Sequence, residues 1–147
     1  MAAPDVVDVL IHQHDQIRRL CADVERAGFA DRTRLFAELE ELVNMHERGE
    51  RAVVHPAARN NTPTGDRIGV ACAEEEGRIE RTFGDLHALG ITHPDFDSQF
   101  ARLRREIHDH AAREENHEFP LLRRYVTTQR LHMMAGELHD VQVMAVR

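Results

Sequence analysis

The chain has 147 residues, a formal net charge of −7, one tyrosine and no tryptophan. It contains no lysine and one serine, Ser98 in the run FDSQF, which excludes a lysine Schiff base, a P-loop lysine and a G-x-S-x-G nucleophile. All 19 basic residues are arginines dispersed among 26 acids, without a basic stripe or stacking aromatics, so no nucleic-acid partner is expected, whereas 11 histidines point to metal or proton chemistry.

Apolar residues recur at steps of three and four, the spacing of one helix face. The first segment, about 5–27, places Val7, Leu10, His14, Ile17, Cys21 and Val24 on one stripe and stops at Gly28. The second, about 32–55, aligns Leu35, Leu39, Leu42, His46, Glu50 and Val53 and meets Pro56, where a helix is expected to stop. A polar, turn-rich link around 59–65 leads to the third, about 65–89, with Gly69, Cys72, Glu76, Ile79, Phe83 and Leu86 on its stripe and Gly90 at its end. The fourth, about 94–125, aligns Phe96, Phe100, Leu103, Ile107, His110, Glu114, His117 and Leu121. A shorter amphipathic fifth segment, about 128–146, is expected to pack across an open end.

Nothing alternates with period two. The predicted fold is all-α: one domain over 1–147, an antiparallel up-down-up-down four-helix bundle over about 5–125 with a short C-terminal fifth helix. Cys21 and Cys72 lie far apart without a C-x-x-C motif, and each reads as an ordinary buried thiol. No stretch reaches the roughly 18–20 apolar residues of a membrane span. The opening MAAPDVVDVLIHQH lacks a basic n-region, so a soluble, cytoplasmic chain is expected.

Polar residues interrupt the apolar stripes at their middles. His46 and Glu50 on the second helix, and His110 and Glu114 on the fourth, are four residues apart, so each pair addresses one point. Proline follows each pair at the same distance, at Pro56 and Pro120, and this H-x3-E-x5-P pattern occurs twice. The preceding helices extend the repeat: HDQIRR from His14 lines up with EGRIER from Glu76. One hairpin thus contributes His14, His46 and Glu50, the other Glu76, His110 and Glu114. Burying three carboxylates and three imidazoles without a cation would cost many kcal/mol. Mixed imidazole and carboxylate donors suit iron, manganese or zinc, and six donors suit a dinuclear site better than one tetrahedral ion.

His14, the run HERGE (46–50) and the run HAARE (110–114) resemble the hemerythrin-like HHE cation-binding domain, over about residues 5–125. The resemblance implies a non-haem di-iron centre with an oxo or hydroxo bridge, His14, His46 and His110 as terminal ligands, and Glu50 and Glu114 as bridges. It offers Glu47 as a further ligand. Where the family usually carries histidine on the third helix, this chain reads Glu74, Glu75, Glu76, and register places Glu76 in that slot. His55, where relatives often have tyrosine, and His117, seven residues after His110, are the two further histidines considered as ligands. Gly49 and Gly77, beside Glu50 and Glu76, read as tolerated helix glycines, with room for substrate entry or close backbone approach near the metal as the alternative.

The extra carboxylate favours ferric iron, and with it peroxide-decomposing (catalase-like) or oxidase-like chemistry over reversible oxygen carriage. The small-molecule ligand expected is O2, H2O2 or NO, in oxidative-stress or iron handling, on a monomer or weak homo-oligomer. A non-enzymatic O2, NO or iron binding or sensing module, and a structural bundle with a degraded site, remain the alternatives.

Overall fold

Asp5 opens α1 (Val6–Arg26) through a capping box: its carboxylate accepts from the Asp8 amide at 2.9 Å, and the Asp8 carboxylate accepts from the Asp5 amide at 3.1 Å. The computed structural model describes residues 3–144. After Gly28, α2 (Phe29–Gly49) continues through a π turn, Glu50–Val54, into α3 (His55–Asn61). The third rod, α4 (Gly65–Leu89), ends at Gly90, whose φ of +90° suits glycine at a helix end. The fourth repeats the second: α5 (Phe96–Arg113), a π turn at Glu114–Glu118, then α6 (Phe119–Tyr125). The last helix, α7 (Thr128–Met144), lies against α1 and α2 and touches α6; its expected end at 146 falls outside the described residues. Short links make sequential rods antiparallel neighbours, α1 on α2 and α4 on α5, and no strand occurs among the described residues. No described helix is long and apolar enough to cross a membrane.

Three sequence expectations need correction. The second helix begins at Phe29 rather than 32, because Phe29, Ala30 and Asp31 of its first turn are exposed and lie off the buried stripe. The fourth begins at Phe96 rather than 94. Most consequentially, Pro56 does not end its helix, and Pro120, which lies within the fourth predicted segment, is passed in the same way. The amide just before each proline reaches five residues back, His55 to the Glu50 carbonyl and Phe119 to the Glu114 carbonyl. A proline inside a regular helix would clash with the carbonyl four residues earlier. The wider turn relieves that clash and lets the helix run on.

The extra residue in each π turn shifts the buried stripe by one position. Val54 is buried where the α-helical repeat placed Val53, Glu118 where it placed His117, and Leu122 where it placed Leu121. His117 is therefore exposed and outside the core.

Two apolar clusters divide the interior. One gathers Ile17, Cys21, Phe36, Leu39, Phe83, Phe96, Phe100 and Leu103; the other gathers Val6, Leu10, Val54, Phe119 and Leu122 with Leu131, Met134 and Leu138 of α7. Each fully buried Leu or Phe contributes about 1.5–3 kcal/mol. Together the clusters offset the cost of the polar layer that lies between them.

Candidate metal centre

The polar layer holds His14, His46, Glu47, Glu50, His55, Glu76, His110, Glu114 and Glu118, all buried. Glu114 lies at its middle, and its two oxygens face different histidine pairs. Its Oε1 is 3.0 Å from His14 Nε2 and 3.9 Å from His46 Nε2. Its Oε2 is 3.7 Å from His110 Nε2 and 3.9 Å from His55 Nε2. Glu50 Oε1 approaches His46 Nε2 at 3.1 Å, and His55 Nε2 is 3.1 Å from Glu76 Oε2. Donor atoms of His14, His46, Glu50 and Glu114 all lie within 4.8 Å of one another, as do those of Glu50, His55 and Glu76. Glu50 and Glu114 are thus shared between two neighbouring donor groups.

All four histidines are aimed from behind. His14 Nδ1 donates to Glu115 at 2.7 Å, and Arg18 donates to the same Glu115 oxygen at 2.9 Å. His110 Nδ1 donates to Glu75 at 2.9 Å, with Arg113 donating to the other Glu75 oxygen at 2.6 Å. His55 Nδ1 donates to Glu118 at 2.7 Å. His46 Nδ1 donates to the Gln13 side-chain oxygen at 2.8 Å, and Gln13 is itself paired with Gln142 of α7. An acceptor on Nδ1 turns the Nε2 lone pair inward, the arrangement of metal-bound imidazole. His14 and His46 bring their Nε2 atoms within 3.1 Å of each other, where only one can carry a hydrogen.

The metal-free charge balance shows what these residues lack. Burial opposes charge on His46, His55 and His110, but the surrounding carboxylates outweigh it and raise them to about 10, 12 and 9. Burial, then neighbouring Glu114, lifts Glu50 to about 8; burial, then Glu76, lifts Glu47 to about 8. Glu114 is buried too, yet His110 and its other contacts hold its carboxyl well below the usual range. Protons on imidazoles stand in for cationic charge. They do not satisfy the layer: both Glu50 oxygens, Glu114 Oε2, Glu118 Oε1 and His110 Nε2 are buried with no hydrogen-bond partner. Orphaned donors and acceptors converging on shared carboxylates fit bound cations.

A family model for the hemerythrin HHE cation binding domain matches residues 5–122. The chain belongs to that family. The crystal structure of a hemerythrin HHE cation binding domain-containing protein from Mycobacterium kansasii shares the fold, with a TM-score of 0.86 at 18% identity, over 98% of this chain and 91% of that one. No curated protein matches the chain. Membership in the hemerythrin HHE family makes this a metal-binding helical bundle.

Within the HHE domain, the residues singled out from the sequence separate clearly. His14, His46, Glu50, Glu76, His110 and Glu114 converge, and His55 joins them with the same outer anchoring as the other histidines. Glu47 is buried beside them but outside the tight donor groups, its Oε2 3.8 Å from Arg51. Glu75 anchors His110 from behind, whereas Glu76 is buried with its Oε2 3.1 Å from His55 Nε2. His12 is exposed and His108 half-buried, away from the donor groups. Sequence reasoning missed Glu118, hidden by the π turn, and the anchors Glu115, Gln13 and Gln142, which carry no periodic signal.

Two spaces adjoin the centre. A small cavity of about 20 Å³ lies among Ile17, Val43, Ile79, Ile107, His14, His46, Glu47 and His110. A cleft of about 360 Å³ lined by Arg51, Arg59, Gly69, Ala73 and Gly77 reaches His55 and Glu76 from outside.

Proposed function

We propose that this HHE domain holds two iron ions and decomposes peroxide or reduces dioxygen, rather than carrying oxygen reversibly. The observation that supports it is the donor set. Three buried carboxylates, Glu50, Glu76 and Glu114, converge with four imidazoles on two adjacent positions. His14 and His46 would hold one ion; His55, His110 and Glu76 would hold the other; Glu50 and Glu114 would span both. Carboxylates are hard anionic donors and favour the more highly charged ferric state. Iron bound there supplies the redox capacity that peroxide disproportionation or oxygen reduction needs.

The residues around the ligands determine what reaches them. The small cavity is walled mainly by Ile17, Val43, Ile79 and Ile107, and its volume of about 20 Å³ is roughly that of a single water site, which bars any organic substrate from this side of the centre. Glu47 lines that cavity and carries a proton-exchanging carboxyl without belonging to the tight donor groups. Arg51 Nη1 lies 3.5 Å from Glu76 Oε1 at the inner end of the cleft, a fixed positive charge beside the most anionic part of the site.

Stopped-flow mixing of the reduced, iron-loaded protein with oxygen or peroxide tests this reading. The expected result is rapid oxidation to ferric iron and catalytic loss of peroxide. Reversible oxygen uptake, with iron returning to the ferrous state on deoxygenation, would favour a carrier or sensor.

A further inference from the structure

Cys72 and Glu76 are four residues apart on α4, so they present side chains one turn apart on the same face. Both are buried. The two cysteines of the chain sit in opposite surroundings. Cys21 is embedded in the apolar cluster with Ile17, Val24 and Leu39. Cys72 belongs to neither apolar cluster. Its sulfur lies within 4.8 Å of donor atoms of His55, Glu114 and Glu118, and likewise of Glu75 and His110.

Three of those residues carry a buried side-chain atom without a partner: His110 Nε2, Glu114 Oε2 and Glu118 Oε1. A thiol is too weak a hydrogen-bond donor to satisfy them. A thiolate placed among carboxylates would be repelled, unless a cation binds them all. The alternative, a cysteine that merely fills space, explains neither the polar neighbours nor the orphaned atoms.

We propose that Cys72 is a thiolate ligand of the second metal position, supplied by α4 together with Glu76. The inference rests on the dinuclear reading above. It adds a soft donor to a hard donor set, and this makes the two positions chemically unequal: the one at His14 and His46 has only nitrogen and oxygen donors, the other has sulfur as well.

Cobalt(II) is the probe, because its visible bands report binding at any donor set while a near-ultraviolet sulfur-to-metal charge-transfer band reports thiolate alone. Wild-type protein and Cys21→Ser, loaded with two equivalents of cobalt, should show that band. Cys72→Ser should lose it while keeping the visible bands of the first position. A wild-type spectrum without the sulfur band although two cobalt ions are bound, or a band that persists in Cys72→Ser, would overturn the ligand assignment alone. Failure of the wild type to bind cobalt would instead overturn the dinuclear centre and this ligand with it. A measurement that needs no variant is X-ray absorption of the zinc-loaded wild type. A sulfur contribution at about 2.3 Å is expected, and a purely nitrogen and oxygen environment would refute the proposal.

Discussion

Each histidine of the centre has an acceptor behind Nδ1, and the acceptors differ in strength. Glu115 and Glu75 are carboxylates backed by Arg18 and Arg113, whereas His46 depends on the neutral amide of Gln13. Gln13→Leu should therefore leave the helices intact and weaken metal binding by about 10–100-fold, the usual loss when a ligand's outer partner is removed. A competition titration with a chromophoric chelator reads this directly, and unchanged affinity would show that His46 is held by packing alone. The neighbours Glu75 and Glu76 should behave differently in the same assay. Glu76→Ala removes an inward carboxylate and should abolish one of the two positions, while Glu75→Ala frees the back of His110 and should only weaken it. Loss of a full metal equivalent from Glu75→Ala with none from Glu76→Ala would place the register of α4 one residue off.

At the scale of elements, the two π turns explain both what was legible in the sequence and what was not. Up to His46–Glu50 and His110–Glu114, a simple helical repeat places the polar residues inward, because those stretches are regular α-helix, although on α2 it picks the partly buried Leu35 and Leu42 over the buried Phe36 and Val43. Beyond them the repeat slips by one, so His117 falls outside and Glu118 inside, while His55 turns fully into the core. The paired prolines mark the slip, but reading Pro56 as a helix end and carrying an unbroken repeat through Pro120 both conceal it. Glycines were equally ambiguous. A Cβ on Gly49 would lie 2.5 Å from Leu138 Cδ1 and 2.9 Å from Gln142 Nε2, so α7 packs directly over that position. A Cβ on Gly77 would meet only the Arg81 guanidinium, at 3.4 Å. Gly77→Ala should accordingly stabilise the metal-free protein by about 1 kcal/mol through helix propensity. In Gly49→Ala that gain should be cancelled or reversed by overpacking of about 1–3 kcal/mol. Urea unfolding of the two variants checks this, and an equal gain at both sites would contradict the close α7 contact.

Taken whole, the molecule is two apolar half-cores separated by a layer of charge, and its stability should depend on what neutralises that layer. In the metal-free protein the histidines His46, His55 and His110 are raised above their ordinary value, so their contribution is complete below about pH 6.5 and is lost as pH climbs through 9 and above. Glu47 and Glu50, raised to about 8, act in the same direction: each costs the fold nothing below about pH 4.5, and its penalty builds up between there and about pH 8. Glu114, shifted down, sets the acid limit, since its contribution disappears as pH falls below about 4.5. Thermal melts of the metal-free protein should thus peak at mildly acidic pH and fall toward pH 10. Metal displaces the same protons, so the loaded protein should grow more stable relative to the metal-free form as pH rises. A metal-free protein whose melting temperature is flat from pH 5 to about pH 10 would mean that the layer is neutralised in some other way.

The central claim is that Glu50 and Glu114 are shared by two adjacent cations, and the metal content after anaerobic loading with ferrous iron tests it most directly. Wild-type protein should retain two irons per chain after desalting, and Glu114→Ala, which removes the carboxylate facing both histidine pairs, should retain less than one. A single iron in the wild type, or two irons still held by Glu114→Ala, would contradict the account.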